Sequence, residues 1–183
     1  MRIEQVPISG LMIISPNVFE DPRGYFFESY SKKAFEEAGI TEEFVQSNQS
    51  LSQKGVLRGL HFQHPPHAQS KLVRVIQGSV LDVALDIRKG SPTYGQHFSI
   101  VLSAQNKTMF YVPVGFAHGF LTLEDNTIFS YKCGNYYNKP AEDGILWNDS
   151  DLNIEWNVEN PILSEKDKVN TLFRDFNSPF THP

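Results

Sequence analysis

Short apolar runs punctuated by Gly and Pro fill the chain from Val56 to Lys132, and no helical spacing interrupts them. Val73–Ile76, Val80–Ile87, His97–Leu102, Thr108–Val112 and Asn126–Lys132 read as strands, with a joint near Gln77-Gly78. In Val80–Ile87, Leu81, Val83, Leu85 and Ile87 share one face, and Asp82, Ala84 and Asp86 share the other. Pro113–Phe120 is a turn returning into a strand. Upstream, Gly10–Ser15 is a short strand, Asp21-Pro22-Arg23-Gly24 a turn, and Tyr25–Tyr30 an aromatic β run. Ser31–Gly39 is the best helix: Ser31 caps it, Ala34, Phe35 and Ala38 form its apolar stripe, and Gly39 ends it. Many short strands and few helices predict a mainly β protein, a sandwich or barrel.

Two segments are less regular. Glu42–Ser52 holds Gln46-Ser47-Asn48-Gln49-Ser50, either a hydrogen-bonding rim for a polar ligand or a solvated connection. The C-terminal part, Asn135–Pro183, is rich in Asn, Asp, Pro and aromatics, with Trp147 and Trp156 as anchors to the body. Ser164-Glu165-Lys166-Asp167 has the outline of a capping box and predicts a short helix. No repeat or linker divides the 183 residues, so one domain is expected over 1–183, with a β core at about 45–135.

A net charge of −5 argues against a nucleic-acid partner, so local cations are site features. The single cysteine, Cys133, excludes an intramolecular disulfide and a cysteine zinc cluster, and fits a reducing compartment. The N-terminal apolar patch, broken by Pro7, Gly10 and Pro16, suits neither a membrane span nor a signal peptide. A soluble cytoplasmic protein with no membrane partner is the expectation.

The chemistry gathers in Gly55–Lys71, where Arg58, His61, Gln63, His64, His67 and Lys71 lie in an apolar neighbourhood. Cations beside imidazoles suggest an anionic ligand and proton chemistry. A metal site would use His61, His64 and His118, as a metal-dependent oxygenase would. Lys71, however, stands where a carboxylate ligand is expected, and its ammonium would repel a divalent cation. Metal-free acid/base chemistry is the leading reading. An imidazole then needs a carboxylate, and Asp82, Asp86 and Asp167 are the candidates that spacing leaves open. Lys71 and Arg58 could hold an anion, and Tyr131, Tyr136 or Tyr137 could supply a phenolic acid or a stacking face. Arg58 and His61, three apart, point to opposite faces of a regular strand. Both reach one pocket only if the strand breaks, and Gly59 is the expected place.

Several motifs occur together in order: R-G-x-F-x-E at Arg23–Glu28, Q-S-N at Gln46–Asn48, V-L-R-G-L-H-F-Q at Val56–Gln63 and K-L-V-R-V at Lys71–Val75. G-F-A-H-G-F at Gly115–Phe120, Y-K-C at Tyr131–Cys133 and S-E-K-D at Ser164–Asp167 follow. The set resembles the dTDP-4-dehydrorhamnose 3,5-epimerase family, metal-free members of the cupin superfamily, over nearly the whole chain. Pro113–His118 is similar to the second cupin motif, while Lys71 departs from the metal-binding first one.

The resemblance implies a cupin-type jelly-roll β-sandwich with a few short helices, and a homodimer whose N-terminal strands cross between subunits. It implies a dTDP-linked 4-keto-6-deoxyhexose substrate epimerised at C3 and C5, on the route to dTDP-L-rhamnose, with no cofactor. A relative inverting only C3 or only C5 is the alternative. By the resemblance His61 is the base, Asp167 orients it, Lys71 stabilises an enolate and Tyr131 is the acid. Arg23, Phe26, Glu28, Gln46, Ser47, Asn48, Arg58, Gln63, His118, Tyr137, Glu142 and Lys166 are implied as substrate-binding. Tyr137 is expected beneath the thymine, and Arg23, Phe26 and Glu28 are expected at the partner's site.

Overall fold

The computed structural model describes residues 1–182; Pro183, the end of the C-terminal stretch, lies outside the described residues. The N-terminal part forms β1 (Arg2–Gln5), β2 (Met12–Ser15), β3 (Val18–Asp21), β4 (Gly24–Phe27) and helix α1 (Lys32–Glu37). Next come β5 (Gln46–Ser52), β6 (Leu57–Gln63), β7 (Lys71–Gln77), β8 (Ser79–Asp86) and β9 (Arg88–Lys89). β10 (His97–Ser103), β11 (Met109–Val112), β12 (Phe116–Thr122), β13 (Thr127–Cys133), β14 (Glu142–Gly144) and β15 (Phe180–Thr181) complete the order.

These strands build the expected jelly-roll sandwich. A six-stranded sheet, β1-β2-β11-β7-β13-β5, faces a five-stranded sheet, β10-β8-β12-β6-β14. Although β7 and β8 are consecutive, they lie in different sheets. The chain changes sheets at Gly78, whose φ of +77° and tight approach to Thr127 leave no room for a side chain.

Between the sheets, Val73, Val75, Phe110, Val112 and Phe129 pack against Val80, Ala84, Phe116 and Phe120. Each buried Val or Phe side chain among them contributes about 1.5–3 kcal/mol. The five-stranded sheet is covered on its outer side too. Val83, Leu85 and Ile87 meet Ile145, Leu152, Trp156 and Phe180 of the C-terminal segment there. Trp156 is anchored as expected, its indole donating to the Trp147 carbonyl at 2.8 Å. The alternation read in β8 therefore separates two buried faces, and Asp82 and Asp86 point into the sandwich rather than to water. Across the six-stranded sheet, Phe35 of α1 and Ile40 pack on Ile14, Leu72 and Met109. Ser31 caps α1 as expected, accepting from the Ala34 amide at 3.5 Å.

Three expectations are corrected. Gln46–Ser52 is a full strand, β5, paired along β13, which sets aside the solvated connection and leaves the other alternative, a polar rim, with Gln46 and Asn48 lining a cavity. Its polar alternation hid it, because one side faces solvent and the other faces a cavity rather than the core. The aromatic run Tyr25–Tyr30 pairs only to Phe27, which leaves Glu28 beyond the strand. Ser164 leads into a turn over 165–168 that does not continue as a helix. The cap-like bond does form, with the Ser164 hydroxyl accepting from the Asp167 amide at 3.2 Å. Among the described residues, no helix is long and apolar enough to cross a membrane.

Asp86 anchors the end of β8. Its carboxylate accepts from Arg88 at 2.7 and 2.9 Å, from Ser91 at 2.6 Å and from Thr93 at 2.7 Å. Burial pushes this carboxyl up, but the guanidinium and the two hydroxyls outweigh it and hold it at about 2. A carboxyl depressed below its unfolded value of about 3.9 stabilises the fold above that pH, and the contribution fades as pH falls through the folded value. Asp86→Asn strands a buried guanidinium and is expected to cost about 3–5 kcal/mol in urea unfolding at pH 7. The gap between wild type and variant should narrow from about pH 4 down toward pH 2.

Candidate active site

β6 breaks where its sequence calls for it. Gly59 has a φ of +140°, and a Cβ placed there would lie 2.5 Å from the Gly119 Cα of β12. The β6·β12 register shifts at the same point, between His118 and Phe120. Before the break Leu57 faces the C-terminal segment; after it Leu60 and Phe62 do. Arg58 and His61 thereby share the inner side, and both line a cavity of about 700 Å³.

His61 Nε2 lies 2.5 Å from Asp167 Oδ1, which chooses among the three carboxylates that spacing left open. Asp82 belongs to His118 instead, and Asp86 to Arg88. Ser164 donates to the other Asp167 oxygen at 2.8 Å. Burial raises the Asp167 carboxyl, but the bonds from His61 and Ser164 and the nearby Lys166 charge leave it below the usual carboxylate range. It is an anion fixed against the imidazole. Ser164 went unassigned in the sequence; its signal was the capping-box spacing to Asp167.

Lys71 and Tyr131 come from the opposite sheet and line the same cavity. Burial pushes the Lys71 ammonium down, against the pull of Cys133, Asp82 and Glu142. Burial pushes the Tyr131 phenol up, and so preserves its proton. Phe129 stacks on Phe120 at 4.2 Å between ring centres and forms an apolar wall beside Tyr131. A fixed imidazole thus faces a protonated phenol across the gap, with a cation beside them. That arrangement suits removal of a proton on one side of a bound ring and delivery on the other.

The dTDP-4-dehydrorhamnose 3,5-epimerase family model matches residues 5–175. The chain belongs to that family. A relative of that name from Shigella flexneri is 54% identical over 168 residues, covering 91% of this chain and 93% of its own. The crystal structure of a dTDP-4-dehydrorhamnose 3,5-epimerase from Elizabethkingia anophelis is similar at a TM-score of 0.93 and 51% identity, over 97% of this chain and 99% of that one. A dTDP-6-deoxy-D-glucose-3,5-epimerase from Legionella pneumophila, solved in complex with dTDP-4-keto-L-rhamnose, gives 0.92 at 47% identity, over 96% and 94%.

Most residues that the family resemblance implied do meet at this place. His118 and Lys166 line the main cavity, and Glu142 lines it too. A smaller cavity of about 300 Å³ shares His61, Lys71, Tyr131 and Glu142 with the first and adds Gln46, Asn48, Gln69 and Tyr137. Glu142 ties the rim together: Lys166 Nζ lies 2.8 Å from one oxygen, and the Tyr137 hydroxyl donates to the other at 3.1 Å. Gln46 accepts from the Tyr137 amide at 2.9 Å and so fixes that ring's base.

Others fall elsewhere. Ser47 is exposed and turns away from the cavities, because strand alternation sends only Gln46, Asn48 and Ser50 inward. Gln63 lines the smaller cavity, but its amide is taken up by the loop backbone: it donates to the His67 carbonyl at 2.6 Å and accepts from the Asn138 amide at 2.8 Å. Arg23, Phe26 and Glu28 line neither cavity of their own chain. Arg23 sits at the tip of the β3–β4 hairpin, held by Asp21 at 2.5 Å.

The imidazoles weighed as metal ligands are each tied to a separate carboxylate, although His61 and His118 are cross-strand neighbours on one cavity. His64 bonds Asp143 at 2.9 Å, while His61 and His118 each hold a different carboxylate. Among the described residues, no group of three His, Cys, Asp or Glu could hold a metal ion.

Gly59→Ala should disturb the break itself, since both the positive φ and the Gly119 contact oppose a Cβ. A loss on the order of 3 kcal/mol is expected in urea unfolding. A loss within a few tenths of the cost at an ordinary exposed strand position would show that β6 does not need its glycine.

Proposed function

We propose that this chain epimerises C3 and C5 of dTDP-4-dehydro-6-deoxy-D-glucose, giving dTDP-4-dehydro-L-rhamnose for dTDP-L-rhamnose biosynthesis. The observation that carries the reading is the His61–Asp167 pair facing Tyr131 within one cavity, from opposite sheets. The 4-keto group acidifies the protons on its two neighbouring carbons. With Nε2 turned to Asp167, His61 has Nδ1 left to take such a proton. Negative charge moves to the C4 oxygen, where the Lys71 ammonium stabilises it. The Tyr131 phenol then returns a proton to the opposite side, which inverts the centre. Once His61 has released its proton to solvent and Tyr131 has regained one from it, repetition at the second carbon completes the reaction with no net transfer of electrons.

Arg58 and Lys166 supply cations for the diphosphate, with Tyr137, Gln46 and Asn48 toward the nucleoside end. His118 and Glu142 are further contacts. We read residues 1–183 as one domain and a homodimer, working in the cytoplasm. The β3–β4 hairpin supports the dimer: it belongs to neither large sheet, and Phe19 and Phe26 are 65% and 70% exposed on it. An isolated hairpin is marginal in water, and exposed aromatics of this kind mark a contact surface. Arg23, Phe26 and Glu28 would then complete the partner's site.

A proton NMR time course of the keto-sugar in D₂O tests the reaction. Wild type should wash deuterium into C3 and C5; exchange at one carbon only would make the chain a single-site epimerase. His61→Ala should reduce exchange by at least about 10²-fold with the fold intact. Tyr131→Phe should keep proton removal and lose most inversion. Undiminished exchange in His61→Ala would rule out His61 as the base.

Arg23→Ala, made at the exposed hairpin tip, should raise KM for the sugar nucleotide while leaving unfolding unchanged. Sedimentation should give a dimer. A monomer with wild-type KM in the variant would place the hairpin outside the reaction.

A further inference from the structure

His118 has a carboxylate of its own. Strands β6 and β12 set it level with His61, and its Nε2 lies 2.8 Å from Asp82 Oδ1. Both residues are buried, Asp82 completely. Asp82 is not part of the cavity wall; it reaches the site through His118, which is. The second Asp82 oxygen is buried without a hydrogen-bond partner, so the carboxylate has no other protein group to serve.

A carboxylate can only accept, so this bond requires the proton on Nε2. Burial pushes the His118 imidazole down, and the Lys71 and His61 charges push the same way against the pull of Asp82. A neutral ring with its proton on Nε2 carries a lone pair on Nδ1. No hydrogen bond to that nitrogen is made among the described residues. With Nε2 taken by Asp82 and the ring lining the cavity, Nδ1 is the nitrogen left as an acceptor, which suits a hydroxyl and repels a phosphate.

A dTDP-linked 4-keto-6-deoxyhexose has few hydroxyls to offer. C1 carries the diphosphate, C4 is a ketone and C6 is a methyl, which leaves C2 and C3. The C3 hydroxyl changes sides when C3 inverts, whereas the C2 hydroxyl keeps its configuration throughout. We propose that Asp82 is a positioning residue that holds His118 in the Nε2–H form, so that His118 Nδ1 accepts from the C2 hydroxyl and keeps the sugar in place through both inversions. The assignment of the hydroxyl rests on the epimerase reading; the assignment of the tautomer does not.

The test uses Asp82→Asn and two readouts. An amide can donate to Nε2, which would move the ring proton to Nδ1 and turn the acceptor into a donor. A ¹⁵N–¹H spectrum of the ligand-free protein reports which nitrogen of His118 carries the proton. It should be Nε2 in wild type and Nδ1 in the variant. The second readout is kcat/KM for the keto-sugar and for its 2-deoxy analogue. Wild type should prefer the hydroxylated sugar by roughly tenfold, mostly through KM, the size of one hydrogen bond. Asp82→Asn should lose that preference.

Should Asp82→Asn fail to fold, His118→Gln is the second variant. It presents an amide that can accept, and should retain part of the preference, while His118→Leu should abolish it. A wild-type proton on Nδ1, or a tenfold preference that survives in Asp82→Asn or His118→Leu, overturns the proposal. A wild type that exchanges neither sugar removes the epimerase reading and the C2 assignment together, while the spectrum still decides the tautomer.

Discussion

The close passage of β6 over β12 is the constraint on which the site depends. Two glycines, Gly59 and Gly119, let the backbones touch where any side chain would force them apart. The half-turn this puts into β6 brings Arg58 to the same side as His61. It also leaves Leu57, Leu60 and Phe62 on the other side, where the C-terminal segment covers them. One irregularity thus serves both packing and chemistry. A straight β6 would send a guanidinium into an apolar layer or withdraw it from the ligand.

Polar groups inside a sandwich are tolerated only when paired, and this interior pairs them by position. Asp82 and Asp86 lie on one strand face, yet each is matched to a different partner, an imidazole and a guanidinium. Asp167 arrives from the far end of the chain to meet His61. Among the described residues Lys71 has no such direct mate, and Cys133, Asp82 and Glu142 favour its charge from a distance. An ammonium without a fixed partner is the one best able to meet charge that appears only during a reaction.

Much of this was legible in the sequence because it follows from local rules. Period-two alternation gave the strands, Ser31 gave the helix start, and the Arg58–His61 spacing required a break that Gly59 then supplied. What local rules could not supply was the identity of the second face. β5 does not read as a strand because its inward side meets a cavity rather than the core, and Ser47, which the resemblance implied together with Gln46 and Asn48, is turned away from them by strand alternation. The choice of Asp167 over Asp82 and Asp86 depends on tertiary contact, as does the turn at Ser164, whose cap-like bond orients Asp167 without starting a helix.

The span between His61 and Asp167 has its own consequence. They are 106 positions apart, and the second belongs to the tail that closes over the outer side of the five-stranded sheet. During synthesis the imidazole leaves the ribosome long before its carboxylate. The strands made before it can collapse around their glycines and aromatics while still inert, and the reactive pair forms only when the stretch carrying Asp167 docks. A copy cut short before that stretch would have its imidazole and no anchor for it.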